Sequence, residues 1–295
     1  MRILILGGNG MIGHKVYQVL SSYFPDTWIL IRRKFIDFLQ KDIFVKEKVI
    51  EDFDLNDLNK LNSLLNSLNP DIIINAAGIT IRRGVNEFKS QTIILNSVLP
   101  HFLGEWIQGK FGKRFIHFST DCVFSGKNGP YYDNSIPDST DIYGKTKSLG
   151  EVNLSQTLTL RGSMIGRELD YQTELLEWFL SQKGKTIKGF NNVFYSGITT
   201  IRMAKLILKI IINFPNLTGV YNVSSKKISK FELLTLFNDF FHSNVKIHKD
   251  ETYTSRKELI SNIFFYEINE IIPSWDELII ELYEDSNLNI NIYKN

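Results

Sequence analysis

Short apolar runs alternate with stretches of helical periodicity along the first half of the chain, the pattern of βαβ units feeding a parallel sheet. Strands are predicted at residues 2–6, 27–31, 48–52, 71–75, 114–119 and 157–161, with a helix over 14–20. Leu55, Leu58, Leu61, Leu65 and Leu68 recur at spacings of three and four, so they share one helix face and read as core. Asp54, Asn56 and Asp57 supply cap-forming side chains just before that helix. Beyond Arg161 the pattern changes, with helical stretches at 172–181 and 201–214 around an aromatic, glycine-containing segment at 190–200. Two S-x-x-E capping boxes, Ser229 to Glu232 and Ser274 to Glu277, open further helices. The tail from 285 to 295, rich in Asn and Lys, is expected to fray. The organisation predicted is an α/β, doubly wound parallel sheet over 1–161. A smaller, mainly helical region over 162–295 binds substrate, with some of its segments returning to the first domain.

Composition narrows the field. The 295 residues are 43% apolar and 22% charged, which suits a folded globular protein and excludes disordered and low-complexity classes. Lys plus Arg against Asp plus Glu is 34 − 32 = +2, so no global field draws the chain onto nucleic acid or an anionic membrane, and neither is expected as a partner. The single cysteine, Cys122, permits no internal disulfide and implies a reducing compartment, by default the cytoplasm. No secretory signal is expected, because the run from Ile3 to Leu6 breaks at Gly7 and Gly8. The most apolar long stretch, 201–214, carries Arg202, Lys205 and Lys209 and reads as an amphipathic helix rather than a membrane span.

Directly after the first strand stands Gly7-Gly8-Asn9-Gly10-Met11-Ile12-Gly13, a G-x-x-G-x-x-G between strand and helix. Glycines there let the strand turn sharply, let the backbone approach a pyrophosphate, and let the helix pack close to the sheet. The N–H groups at the helix start then receive phosphates. This position favours a Rossmann-type dinucleotide fold over a turn that merely tolerates glycine. Arg32 and Arg33 follow the second strand, where such folds keep an acid for ribose hydroxyls or a base for a 2′-phosphate. With no Asp or Glu there, NADPH is expected over NADH, two guanidiniums clamping the phosphate, although NADH remains possible and a solvated basic corner is the alternative.

Asn75-Ala76-Ala77-Gly78 closes the fourth strand, small residues that let backbone lie against a cofactor. The fifth strand ends in Ser119-Thr120-Asp121-Cys122-Val123-Phe124, and Tyr143 to Lys147 then forms a Y-x-x-x-K at a helix start. Residues four apart share a helix face, so the Tyr143 hydroxyl and the Lys147 ammonium can address one site. A cation there is expected to lower the tyrosine pKa from about 10 toward neutrality and make it a usable acid or base. Thr120 adds a hydroxyl able to hydrogen-bond the same oxygen.

The glycine fingerprint, the N-A-A-G segment, S-T-D and Y-x-x-x-K, in that order, resemble the extended short-chain dehydrogenase/reductase family. The resemblance implies a Rossmann domain, a catalytic set of Thr120, Tyr143 and Lys147, and a C-terminal region that binds a nucleotide sugar. It further implies that Asp54 and Leu55 meet the adenine and that Asn96 helps hold the active-site helix. Within the family, Ser119 to Gly126, the Tyr132-Asp133 to Pro137 segment and Thr159-Leu160-Arg161 resemble dTDP-4-dehydrorhamnose reductases. Related 4,6-dehydratases carry a Glu after T-D, where this chain has Cys122, and the sequence therefore points to a simple ketoreductase. Two departures touch the substrate side: Cys122 stands where the rhamnose enzymes usually have Tyr, and Met164 where they tend to have Trp. A UDP-linked, N-acetylated 4-keto-6-deoxyhexose destined for a surface polysaccharide fits as well as dTDP-4-dehydrorhamnose. Thr120, Asp121, Cys122, Met164, Arg167, Phe194 and Tyr195 are the expected substrate contacts, with Cys122 a contact and not a nucleophile.

Five scattered histidines show no ligand spacing, and no metal is expected. Arg82 and Arg83 can reach an anionic group or belong to a solvated loop. A homodimer is left open. Two further readings compete with the reductase: a nucleotide-sugar epimerase with tightly held NAD, and a non-catalytic NADP-binding regulatory subunit similar to the β subunit of methionine adenosyltransferase.

Overall fold

The computed structural model describes residues 1–83, 87 and 89–293. The first half runs β1 (Ile3–Leu6), α1 (Met11–Tyr23), β2 (Thr27–Leu30), β3 (Val49–Ile50), α2 (Leu58–Leu68), β4 (Ile72–Asn75), α3 (Lys89–Ile93), α4 (Leu99–Ile107), β5 (Arg114–Ser119), α5 (Ile142–Leu149) and β6 (Thr157–Arg161). The second half adds β7 (Met164–Ile165), α6 (Leu175–Leu180), β8 (Thr186–Phe190), β9 (Val193–Tyr195), β10 (Ile198–Thr199), α7 (Thr200–Asn213), β11 (Gly219–Asn222), β12 (Ile228–Ser229), α8 (Lys230–Phe241), β13 (Lys246–Asp250), β14 (Ser255–Arg256), α9 (Asn262–Glu267), α10 (Trp275–Leu288) and α11 (Ile290–Tyr293). No helix of the described residues is long and apolar enough to cross a membrane.

Seven strands form one parallel sheet in the order β11-β6-β5-β4-β1-β2-β3. Every residue of β1 and β4 is buried, because helices cover both faces and leave no solvated side to alternate against. Ile3 and Ile5 pack into the layer with α1, α7, α8 and α10, whereas Leu4 and Leu6 pack into the layer with α2 and α4. The strand order reverses between β1 and β4, and the crevice beyond their carboxyl ends is where open α/β sheets place their ligands. The seventh strand, β11, comes from the second half of the chain and pairs with β6.

Local chemistry moved three predicted boundaries. The strand expected over 48–52 is only Val49–Ile50: Lys48 closes a 3-10 turn and Asp52, at φ 51°, takes the chain out of the sheet. The helix expected over 172–181 begins at Leu175, since the buried Glu168 carboxylate accepts the Thr173 and Glu174 N–H groups (2.7 and 2.6 Å) and holds that stretch as a loop. Leu55 leaves the leucine stripe, because α2 starts after Asp57, which caps it by accepting the Lys60 N–H at 2.9 Å. Both capping boxes form, at Ser229 and at Ser274.

The tail does not fray through Tyr293; Lys294 and Asn295 lie outside the described residues. Its polar residues bind the fingerprint helix. Asp285 pairs with the buried Lys15 ammonium at 2.7 Å, Asn289 accepts from Gln18, and the Tyr293 hydroxyl lies 3.1 Å from His14 Nε2. His14 in turn holds the Gly10 carbonyl through Nδ1 at 2.8 Å, so the tail reaches the glycine turn through one side chain. Tyr293→Phe leaves that buried ring nitrogen without its partner, and urea unfolding is expected to show a loss of about 1–3 kcal/mol. An unchanged midpoint would refute this role for the hydroxyl.

Candidate active site

The turn between β1 and α1 admits no side chain at two of its glycines. Gly7 has φ +77°, and a Cβ there would stand 2.6 Å from the Ala77 nitrogen; at Gly13 it would stand 2.2 Å from the Gly7 carbonyl oxygen. The first turn therefore presses against the N-A-A-G segment, and α1 packs hard on the strand. Gly10 caps α1 without a side-chain hydrogen bond, which leaves the first N–H groups of the helix facing the crevice.

That crevice is a cavity of about 560 Å³. Gly7, Asn9, Gly10, Met11 and Ile12 line one side, Arg32, Asp54 and Leu55 the second, and Ala76, Ala77 and Gly78 the floor. Hydrogen bonds from the Asn56 backbone and side chain (3.0 and 2.7 Å) hold the Asp54 carboxyl below its usual range, with the Arg32 cation adding to them. Arg33 does not join Arg32. Its guanidinium pairs with Asp37 and Asp170, both at 2.9 Å, and stacks on Phe38, so the expected two-arginine clamp reduces to Arg32.

A second cavity, of about 380 Å³, shares Met11, Ile12, Ala76, Ala77 and Gly78 with the first and continues it over the end of β5. Thr120, Asp121, Cys122, Tyr143, Lys147, Met164, Tyr195 and Lys230 line it. Thr120 opens a 3-10 turn, accepting the Cys122 N–H at 3.2 Å and donating to Asp121 at 3.1 Å. The Asp141 side chain caps α5 by accepting the Gly144 N–H at 2.9 Å, and a Cβ at Gly144 would lie 2.1 Å from the Cys122 carbonyl. This close approach brings the Tyr143 hydroxyl against that of Thr120. Asn96, in a π-turn at Ile94–Val98, donates to the Ile79 carbonyl (3.0 Å) and to Thr146 (3.3 Å), tying the loop after Gly78 to α5.

The protonation states differ from the sequence expectation. Burial pushes the Tyr143 phenol up, not toward neutrality. The lysine nitrogen donates to the Phe118 carbonyl at 2.6 Å and stands 3.4 Å from His117 Nε2. Burial lowers Lys147 to about 8. Cys122, driven up to about 12 chiefly by burial, stays a thiol and suits a contact rather than a nucleophile. In this form the site holds a proton on Tyr143, ready to be donated.

On the substrate side, Met164 and Tyr195 face the cavity, the latter fixed by its hydroxyl on the Ser163 carbonyl at 3.0 Å. Arg167 does not. It forms a pair with Glu177 at 2.6 Å and stacks on Tyr293, neutralising a buried carboxylate instead of reaching the cleft. Phe194 follows the strand alternation onto the other face of β9 and lies under the Lys227 ammonium. Sequence reading missed Lys230, whose ammonium sits 3.8 Å above the Tyr195 ring and has no ion pair among the described residues. The antiparallel pairing of Ile228 with Tyr195 puts it there, and no local motif signals such a contact. Arg82 and Glu174 border both cavities; the Arg83 side chain lies outside the described residues.

The chain is 25% identical over 189 residues to a dTDP-4-dehydrorhamnose reductase of Burkholderia thailandensis, covering 63% of this chain and 52% of that one. It is 25% identical over 150 residues to methionine adenosyltransferase 2 subunit beta of Danio rerio, covering 51% and 42%. The chain thus spans about half the length of these curated relatives. Its fold matches the crystal structure of dTDP-4-dehydrorhamnose reductase from Bacillus anthracis in complex with NADP, at a TM-score of 0.76 and 19% identity over 97% of this chain and 99% of that one. A family model described as the RmlD substrate binding domain matches residues 1–249, most of the chain, and the protein belongs to that family.

Proposed function

We propose that the protein reduces the C4 keto group of a nucleotide-activated 4-keto-6-deoxyhexose with NADPH. The observation that carries this reading is the placement of Thr120 and Tyr143 together in the cavity that continues the glycine-turn crevice, with burial favouring the protonated phenol. The crevice suits a dinucleotide: its turn has no room for a Cβ at Gly7 or Gly13, the α1 N-terminus is uncapped by side chains, and Arg32 lines the rim. NADPH, when bound, supplies the hydride. Tyr143 gives its phenolic proton to the oxygen left on C4. Thr120, fixed by Asp121 and the Cys122 N–H, orients that oxygen, and Lys147 stabilises the phenolate from the same helix face. Met164, Tyr195 and Lys230, all from beyond Arg161, hold the sugar nucleotide, and Cys122 leaves the site without the carboxylate a dehydratase needs.

The experiment is NADPH consumption with a panel of dTDP- and UDP-linked 4-keto-6-deoxyhexoses. Turnover of one member, dependent on Tyr143, supports the reading and names the sugar. Tight NADPH binding with no turnover of any sugar supports the second reading, a regulatory subunit, which the similarity to methionine adenosyltransferase 2 subunit beta favours. Arg32→Ala is expected to raise the KM for NADPH about 10- to 100-fold, the worth of one charge-assisted phosphate contact, and to leave that for NADH unchanged. Equal effects on both would remove Arg32 from 2′-phosphate recognition.

A further inference from the structure

The Gly10 carbonyl, at the N-terminal end of α1, has two partners from one residue. It accepts the His14 backbone N–H at 3.2 Å, the ordinary bond of an α-helix, and also the His14 ring N–H at Nδ1, at 2.8 Å. A carbonyl oxygen carries no proton, so the ring is the donor and the direction of this bond is settled. His14 is wholly buried, and burial followed by the neighbouring Lys15 lowers it to about 3, so the ring is neutral in the fold. Its one proton sits on Nδ1, and Nε2 keeps a lone pair that meets the Tyr293 hydroxyl at 3.1 Å.

A trans peptide unit is planar, with its C=O and N–H on opposite sides. The unit that carries the Gly10 carbonyl also carries the Met11 N–H, the first of α1, and both residues line the crevice. Holding the carbonyl from inside the helix therefore aims the Met11 N–H out of it, where it has no intrahelical partner and an anion is favoured. We propose that His14, held by Tyr293, is a positioning residue for the dinucleotide: it fixes the peptide whose N–H receives the ligand's phosphate, and so makes the C-terminal tail part of the cofactor site. The proposal rests on the crevice holding a dinucleotide and not on which carbonyl is reduced.

The surroundings of Tyr293 keep its hydroxyl in place. Lys41 donates to the carbonyl of the preceding Ile292 at 2.9 Å, the Arg167 guanidinium lies 4.7 Å from the centre of the Tyr293 ring, and the Tyr293 and His14 rings meet edge to face at 5.9 Å. Asp285 and Asn289, on the same tail, bind Lys15 and Gln18 of α1 itself. An apolar side chain would fill the His14 position without desolvating two ring nitrogens, a cost that these two hydrogen bonds offset. Coupling between two sites is reciprocal, so a ligand that favours the held peptide also holds the tail more firmly.

The test reads binding in the full chain and needs no sugar. NADPH is titrated against the protein by its fluorescence. His14→Leu is expected to weaken binding about 5- to 10-fold, the worth of one hydrogen bond. His14→Asn, whose Nδ2 stands where the ring has Nδ1 and can donate to Gly10, is expected to recover most of that loss. Both variants leave a similar space behind the turn, so packing alone would weaken them alike. Equal weakening, or full affinity in His14→Leu, overturns the proposal. In the unaltered protein, saturating NADPH is expected to slow amide hydrogen exchange over 285–293 several-fold, and unchanged exchange there overturns the proposal even if His14→Leu fails to fold. An unaltered chain that binds neither NADPH nor NADH overturns the reading of the crevice as well, which separates the two failures.

Discussion

Tyr143→Phe is expected to lower kcat for the sugar reduction by about 10²- to 10⁴-fold, the usual worth of a positioned acid, with cofactor affinity close to that of the unaltered protein. The substitution removes one hydroxyl and keeps the ring. That hydroxyl lies with Thr120 in the second cavity, and the glycine turn and Arg32 proposed to hold the dinucleotide line the first. Burial raises the Tyr143 pKa, so at neutral pH the phenol carries the proton that a reduction consumes. Stopped-flow or steady-state NADPH consumption, with dinucleotide binding measured separately, distinguishes loss of the acid from loss of the site. A near-normal rate in Tyr143→Phe would remove Tyr143 as the proton donor.

Much of this arrangement was legible because it is local. The glycines at 7, 10 and 13 occupy consecutive steps of one strand-turn-helix, and Tyr143 and Lys147 are one turn apart on one helix, so spacing alone places them. What spacing cannot give is the partner a long side chain finds across the fold. Arg33 and Arg167 read as ligand-binding cations, but Arg33 met Asp170 from a distant segment and Arg167 met the buried Glu177 of the helix that follows it. Phe194 and Lys230 exchanged roles through the register of β12 on β9, which no single-strand pattern reveals. The polar tail looked like a frayed end because its value lies in Lys15, His14 and Gln18, 270 or more residues earlier and themselves invisible as a binding face. Even the direction of the Tyr143 shift turned on a tertiary fact, the burial of its ring.

The same two buried histidines that organise the site make the fold sensitive to mild acid. His14 is lowered to about 3, chiefly by burial and then by the neighbouring Lys15, and His117 is lowered well below its ordinary value by burial and by Lys147. Both are neutral in the fold, whereas in the unfolded chain each takes up a proton below about pH 6.5. The unfolded state therefore binds more protons in that window, so stability is full above about pH 6.5 and falls as the pH drops toward the folded-state values. A wholly suppressed histidine contributes about 1.4 kcal/mol per pH unit, so His14 alone removes roughly 3 kcal/mol by about pH 4.5, and His117 adds to the decline. Carboxylates held low by hydrogen bonds, such as Asp54 and Asp141, titrate below that window, whereas Asp133, raised chiefly by burial, works against the decline. Urea unfolding measured at intervals across this range is expected to show the decline, and His117→Gln, which has nothing to protonate, about half the slope. A stability that stays flat from pH 6.5 to 4.5 would mean that these rings accept protons in the folded protein.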